Sequence, residues 1–123
     1  VPPRPAPEPP QADLRRAGAL YVESVRVNRE LGDNWGLAYL LEDIGCLRAM
    51  EGRGEQPLQL VGAASALRET IRAPLSPVEQ AKLDKALAAL PDFPAAQRQA
   101  AWEAGRALTV EQAVALAVAG LGE

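Results

Sequence analysis

Apolar residues recur along most of this chain at intervals of three and four, and they are Ala, Leu and Val rather than aromatic side chains. That spacing places them on one side of an α-helix, because residues i, i+3, i+4 and i+7 share a face at 3.6 residues per turn. Of the 123 residues 48% are apolar but only 4% are aromatic, so the core must be filled by small and medium side chains. Such side chains suit helices packed closely on helices, and the β-branched, aromatic runs expected of strands are missing. The reading is an all-α fold with one core.

The punctuation divides the pattern into six segments. Residues 1–10 hold six prolines, which fix φ and remove backbone donors, so residues 1–11 read as an extended linker or arm. From Ala12 to Leu31 the positions Leu14, Ala17, Tyr21 and Val25 make one apolar face, with Leu20, Val27 and Leu31 alongside. Gly32 follows as a C-cap, and Asp33 or Asn34 can cap a second helix to about Met50. Its apolar set (Leu37, Ala38, Leu40, Leu41, Ile44, Leu47) covers most of the circumference, as expected of a helix with neighbours on two sides. Gly52 and Gly54 read as turn residues. A third helix follows from about Glu55 to Arg72, with Pro57 in its first turn and Leu58, Val61, Ala64, Leu67 and Ile71 as its stripe. Ser76-Pro77-Val78-Glu79 is a capping box with proline at the first helical position, and it opens a fourth helix to about Leu90. A fifth spans about 95–107 and carries Ala100, Trp102 and Ala104. Thr109-Val-Glu-Gln112 is a second capping box and opens a short sixth helix to about Ala119. Short connections imply an antiparallel array over residues 12–123.

Charge and residue inventory narrow the function classes. The 13 Lys plus Arg are scattered among 16 Asp plus Glu, for a net −3, so the clustered basic footprint of nucleic-acid binding is missing. The most apolar stretch, Val110 to Leu121, is too short to cross a bilayer and carries Glu111 and Gln112. Val1-Pro-Pro-Arg has no apolar signal core, and the expected compartment is the cytoplasm. The chain has no His, the commonest general base and metal ligand. Hydroxyls are scarce as well, so no catalytic residue, cofactor site or metal site is expected. Cys46, the single thiol, has no base to activate it and reads as a small buried hydrophobe. Glu42 and Asp43 are chain neighbours and point to different sides of a helix, so they are not a paired acid site.

The first and third helices align as repeats: Ala17 with Pro57, Tyr21 with Val61, Ser24 with Ala64, at an offset of 40 residues. Periods of this size mark helical solenoids. The run Leu31-Gly-Asp-Asn-Trp-Gly-Leu-Ala-Tyr39, then Ile44-Gly45, then residues 57–69 (PLQLVGAASALRE), resembles the C-terminal tetratricopeptide-like region of large bacterial regulators. Those proteins carry a signal-transduction NTPase core, often joined to a LuxR-type or winged-helix DNA-binding domain. The segments 73–79, 101–108 and 111–115 are similar to the way such proteins end. Arg48 and Pro57 depart from the repeat consensus, which prefers Tyr and Ala there. No GxxxxGK[ST] loop or DNA-reading helix occurs, so neither NTPase nor DNA-binding activity is carried over.

The resemblance implies a stacked, tetratricopeptide-like α-solenoid in which the first helix of each hairpin lines a partner groove. Carried onto this sequence, the groove residues are Tyr39, Glu42, Cys46, Ala49 and Met50. The competing reading is that the C-terminal helices fold over this face and cover it, as terminal segments of repeat arrays do. Trp35 reads as a packing residue at the start of the second helix, and Trp102 as either packing or interface anchor. The expected function is a non-catalytic protein-interaction or regulatory module of a larger bacterial signalling protein. Its partner would be another protein or other domains of the same polypeptide. The alternative is a small-molecule effector sensor. A polar-lined pocket of roughly 300 Å³ or more would favour the sensor, and a broad exposed apolar patch would favour protein binding. The first helix has no hairpin partner before it in this sequence, so the reading expects an array that begins further upstream. Leu14, Leu20, Val27 and Leu31 then need a cover, either the proline-rich arm or, in preference, a second copy forming a homodimer through the Ala12–Leu31 helix.

Overall fold

The computed structural model describes residues 10–52, 54–88, 90, 93–119 and 121, and they are all-helical, with no strand among them. The six helices are α1 (Pro10–Leu31), α2 (Asn34–Met50), α3 (Gln56–Ile71), α4 (Pro77–Ala88), α5 (Ala95–Arg106) and α6 (Val110–Val118). The proline-rich arm expected over 1–11 lies outside the described residues as far as residue 9. α1 begins at Pro10, where proline suits a first helical position.

The helix limits follow from local chemistry. Gly32 takes a φ of 69° after α1, a left-handed conformation that costs glycine little. Asp33 then caps α2, its carboxylate accepting from the Gly36 N–H at 2.9 Å. At the head of α4 the Ser76 hydroxyl accepts from the Glu79 N–H, and the Glu79 carboxylate accepts from the Ser76 N–H. Thr109 and Gln112 make the same reciprocal pair at the head of α6.

Packing centres on the α2–α3 hairpin. α1 lies on α2, α4 also lies on α2, and α5 lies on α3. α6 returns to touch α3, α2 and α1 together. Among the described residues the consecutive pairs α3–α4, α4–α5 and α5–α6 share no comparable contact, so α4 to α6 wrap the hairpin rather than extend a row. The main core joins Val25 of α1, Leu37, Leu41 and Ile44 of α2, Leu60, Ala64 and Leu67 of α3, and Ala113 and Ala117 of α6. Each buried Leu, Ile or Val contributes about 1.5–3 kcal/mol relative to exposure. A smaller cluster of Ala49, Leu58, Leu90 and Ala101 fixes α5 and the end of α4.

One expected contact turns out differently. Trp35 is 56% exposed instead of packed. It stands two residues, and so roughly 200° of helix rotation, from the buried Leu37, and it rests only its ring edge on Tyr39, 4.8 Å away. On α5, Ala100 and Ala104 face solvent, and the buried positions are Ala101 and Gly105. The reason is backbone proximity. A Cβ on Gly105 would stand 1.9 Å from the Gln59 carbonyl oxygen, and one on Gly62 would stand 2.2 Å from that of Trp102. Two glycines let α3 and α5 touch main chain to main chain.

Candidate functional site

The sequence-derived surface residues fall on one side of α2, and α4 lies over part of it. Tyr39 and Cys46 are half-buried, Glu42 is buried, and Ala49 belongs to the smaller core cluster. Met50, at the end of α2, is 81% exposed and stands apart from the rest. Tyr39, Glu42 and Cys46 line a cleft of about 240 Å³ with Leu75, Lys82 and Leu83. Trp102 lines a neighbouring cleft of about 350 Å³, which shares Glu42, Leu75 and Leu83 with the first.

A polar network holds these clefts in shape. Glu42 and Arg68 form a two-pronged ion pair, Nε to Oε2 and Nη2 to Oε1, both at 2.7 Å, inside the protein. The remaining guanidinium nitrogen, Nη1, donates to the Ala73 carbonyl at 2.9 Å and so ties down the α3–α4 connection. The guanidinium also lies 4.4 Å over the Tyr39 ring. The Tyr39 hydroxyl donates to Glu79 at 2.6 Å, which joins α2 to the capping box of α4. That hydrogen bond raises the Tyr39 pKa above its ordinary 10 and lowers that of Glu79 below its ordinary 4.5. Hydrogen bonding to Glu42 likewise holds Arg68 more firmly protonated than usual.

The arrangement is not one of activated groups. Burial, reinforced by the charges of Asp43 and Glu42, pushes the Cys46 thiol pKa up, the opposite of what a nucleophile requires. Among the described residues no group of three or more Cys, Asp or Glu is placed to hold a metal ion. No helix of the described residues is long and apolar enough to cross a membrane.

Two residues that organise the site, and a third at its rim, escaped the sequence reading. Arg68 carried a signal: it stands seven residues after Val61 and four after Ala64, squarely on the α3 stripe, and a charge there calls for a buried partner. Glu79 was visible as a cap, but its second oxygen reaches a residue 40 positions away. Arg72, at the rim of the larger cleft, left no periodic trace. Comparison of the chain with protein-family models, with curated proteins and with solved structures returns no match.

Proposed function

We propose that this chain is a non-catalytic protein-interaction module of a larger bacterial regulator, and that α1 is its contact surface. The observation that carries the reading is the exposed apolar edge of α1: Leu20 is 65%, Val27 47% and Leu31 74% exposed. These three, seven and four residues apart, share one side of the helix, while Gly18 and Val25 are buried on the other. The side chain of Leu14 lies outside the described residues. The quoted resemblance supports the stacked-hairpin and regulatory parts of the reading, with α1 to α3 as the repeat-like portion and α4 to α6 as its cap. The lack of any His supports the non-catalytic part.

The occupant is an amphipathic helix of a partner protein with Lys or Arg beside its apolar stripe. Glu23 and Glu30, both exposed, follow the exposed Arg16 in one row along the edge of the α1 stripe, between and beyond Leu20 and Val27. An antiparallel second copy that set Leu20 on Leu31 would bring Glu23 beside Glu30 of that copy, and like charges so placed oppose pairing. A basic flank meets the same carboxylates favourably.

Two helical peptides with leucine at heptad core positions, one flanked by lysine and one by glutamate, test this by nuclear magnetic resonance titration. The lysine peptide should shift α1 signals and weaken at least tenfold in Leu20→Ser/Leu31→Ser. Equal binding of both peptides, or indifference to the double substitution, overturns the proposal. A homodimer at micromolar concentration by sedimentation, lost in that same variant, would assign the surface to a second copy instead.

A further inference from the structure

The larger cleft has a character that the α1 surface does not explain. Its volume, about 350 Å³, lies within the ~300–1,000 Å³ of small-molecule sites. Val61, Leu75, Leu83 and the half-buried Trp102 give it apolar walls. Most of the charge along it is already matched. Glu42 is held by Arg68, and Glu69 accepts from Arg106 at 2.6 Å. Arg106 also lies 4.9 Å over the Trp102 ring and so steadies that wall.

Arg72 is the exception. Its side chain has no hydrogen bond or ion pair among the described residues, and it lines the cleft beside Gln80 and Ser65. Its backbone is also costly. Arg72 ends α3 at φ 56°, ψ 43°, the left-handed position where glycine is ordinarily preferred, and it is the one described non-glycine residue with positive φ. A side chain there costs roughly 1 kcal/mol that glycine would avoid. Arg72 is exposed to solvent on the rim of this cleft, in a left-handed position and with no acid paired to it among the described residues, so its guanidinium is open to an anion from outside the chain.

We infer that this cleft binds a small monocarboxylate with an aromatic or compact apolar body. The body lies against Trp102 and Leu83, and the carboxylate takes the Arg72 guanidinium. Among the described residues lining this cleft, Arg72 is the one cation without an acid partner, and that sets the class. A dianion would leave one charge without a partner, and a cation would meet only carboxylates already engaged. The inference goes beyond the α1 reading and uses none of its residues, so either stands if the other fails.

Phenylacetate and its neutral isostere phenylacetamide are suitable probes, titrated into the full chain and followed by nuclear magnetic resonance. Phenylacetate should saturate shifts of the Trp102 indole N–H and of the Leu75 and Leu83 methyls, and the amide should bind about tenfold more weakly. Arg72→Gln should weaken phenylacetate about tenfold at unchanged Tm. Arg72→Gly should raise Tm by relieving the left-handed strain while abolishing carboxylate binding, which separates folding from recognition. Shifts that do not saturate at millimolar ligand, equal binding of acid and amide, or full binding by Arg72→Gln would each overturn the inference.

Discussion

Glu42 on α2 and Arg68 on α3 meet through two 2.7 Å contacts in the interior, although 26 residues separate them in the chain. With both partners buried, removing one strands the other. Glu42→Gln or Arg68→Met alone should cost about 3–5 kcal/mol. Glu42→Leu with Arg68→Met should recover much of that, because a well-packed apolar pair no longer has to be desolvated. Urea denaturation of the three variants measures it. A loss below about 1 kcal/mol in either single variant would show that the pair is hydrated in solution.

Gly62 and Gly105 yield a prediction whose sign separates local propensity from packing. Alanine in a helix is favoured over glycine by about 1 kcal/mol. At these two positions the added methyl would meet a main-chain carbonyl, which cannot rotate away. Overpacking typically costs about 1–3 kcal/mol and more where the backbone must move, so it should outweigh the propensity gain. Gly62→Ala and Gly105→Ala should each lower Tm. A rise in either would mean that α5 sits further from α3 than described.

Arg48 is buried on α2, and its Nη2 donates to the carbonyls of Leu116, Ala117 and Ala119 at the end of α6. A cation there satisfies carbonyls that lack helical partners and matches the negative pole of the helix. Its Nη1 donates to Gln56 at 2.8 Å, so one side chain joins three helices. Arg48→Met leaves neutral acceptors unpaired and should cost about 1–3 kcal/mol and speed amide exchange in α6 before the rest of the chain. Uniform protection of α6 in that variant would contradict the capping role.

The Tyr39–Glu79 hydrogen bond sets limits at both ends of the pH scale. Glu79 has its pKa lowered in the folded state, so its contribution is present above the ordinary 4.5 and is lost as pH falls through the folded value. Tyr39 has its pKa raised, so its share is present below 10 and is lost as pH climbs through the higher folded value. The urea midpoint of the wild type should exceed that of Glu79→Gln at neutral pH and converge with it in acid. Tyr39→Phe should lessen the alkaline loss and leave the part due to Tyr21 and Cys46, whose pKa values burial also raises. A difference between wild type and Glu79→Gln that persists in strong acid would refute the assignment.

Local chemistry along the chain is enough to set the helices and most of their ends. Asp33, Ser76 and Thr109 bond to residues three positions away, and Gly32 turns the chain on its own, so their effects are legible within one helical turn. Apolar periodicity located the inward stripes of α2 and α3 for the same local reason. Periodicity says that a face is buried without saying against what. The wrapping of α4 to α6 around the central hairpin, the contact of Gly62 and Gly105 with facing backbone, and the exposure of Trp35 were therefore decided only by tertiary structure. So were the engagements of Arg68 and Arg48, whose acceptors lie up to 71 residues away, because a buried charge is satisfied by whatever the fold brings to it.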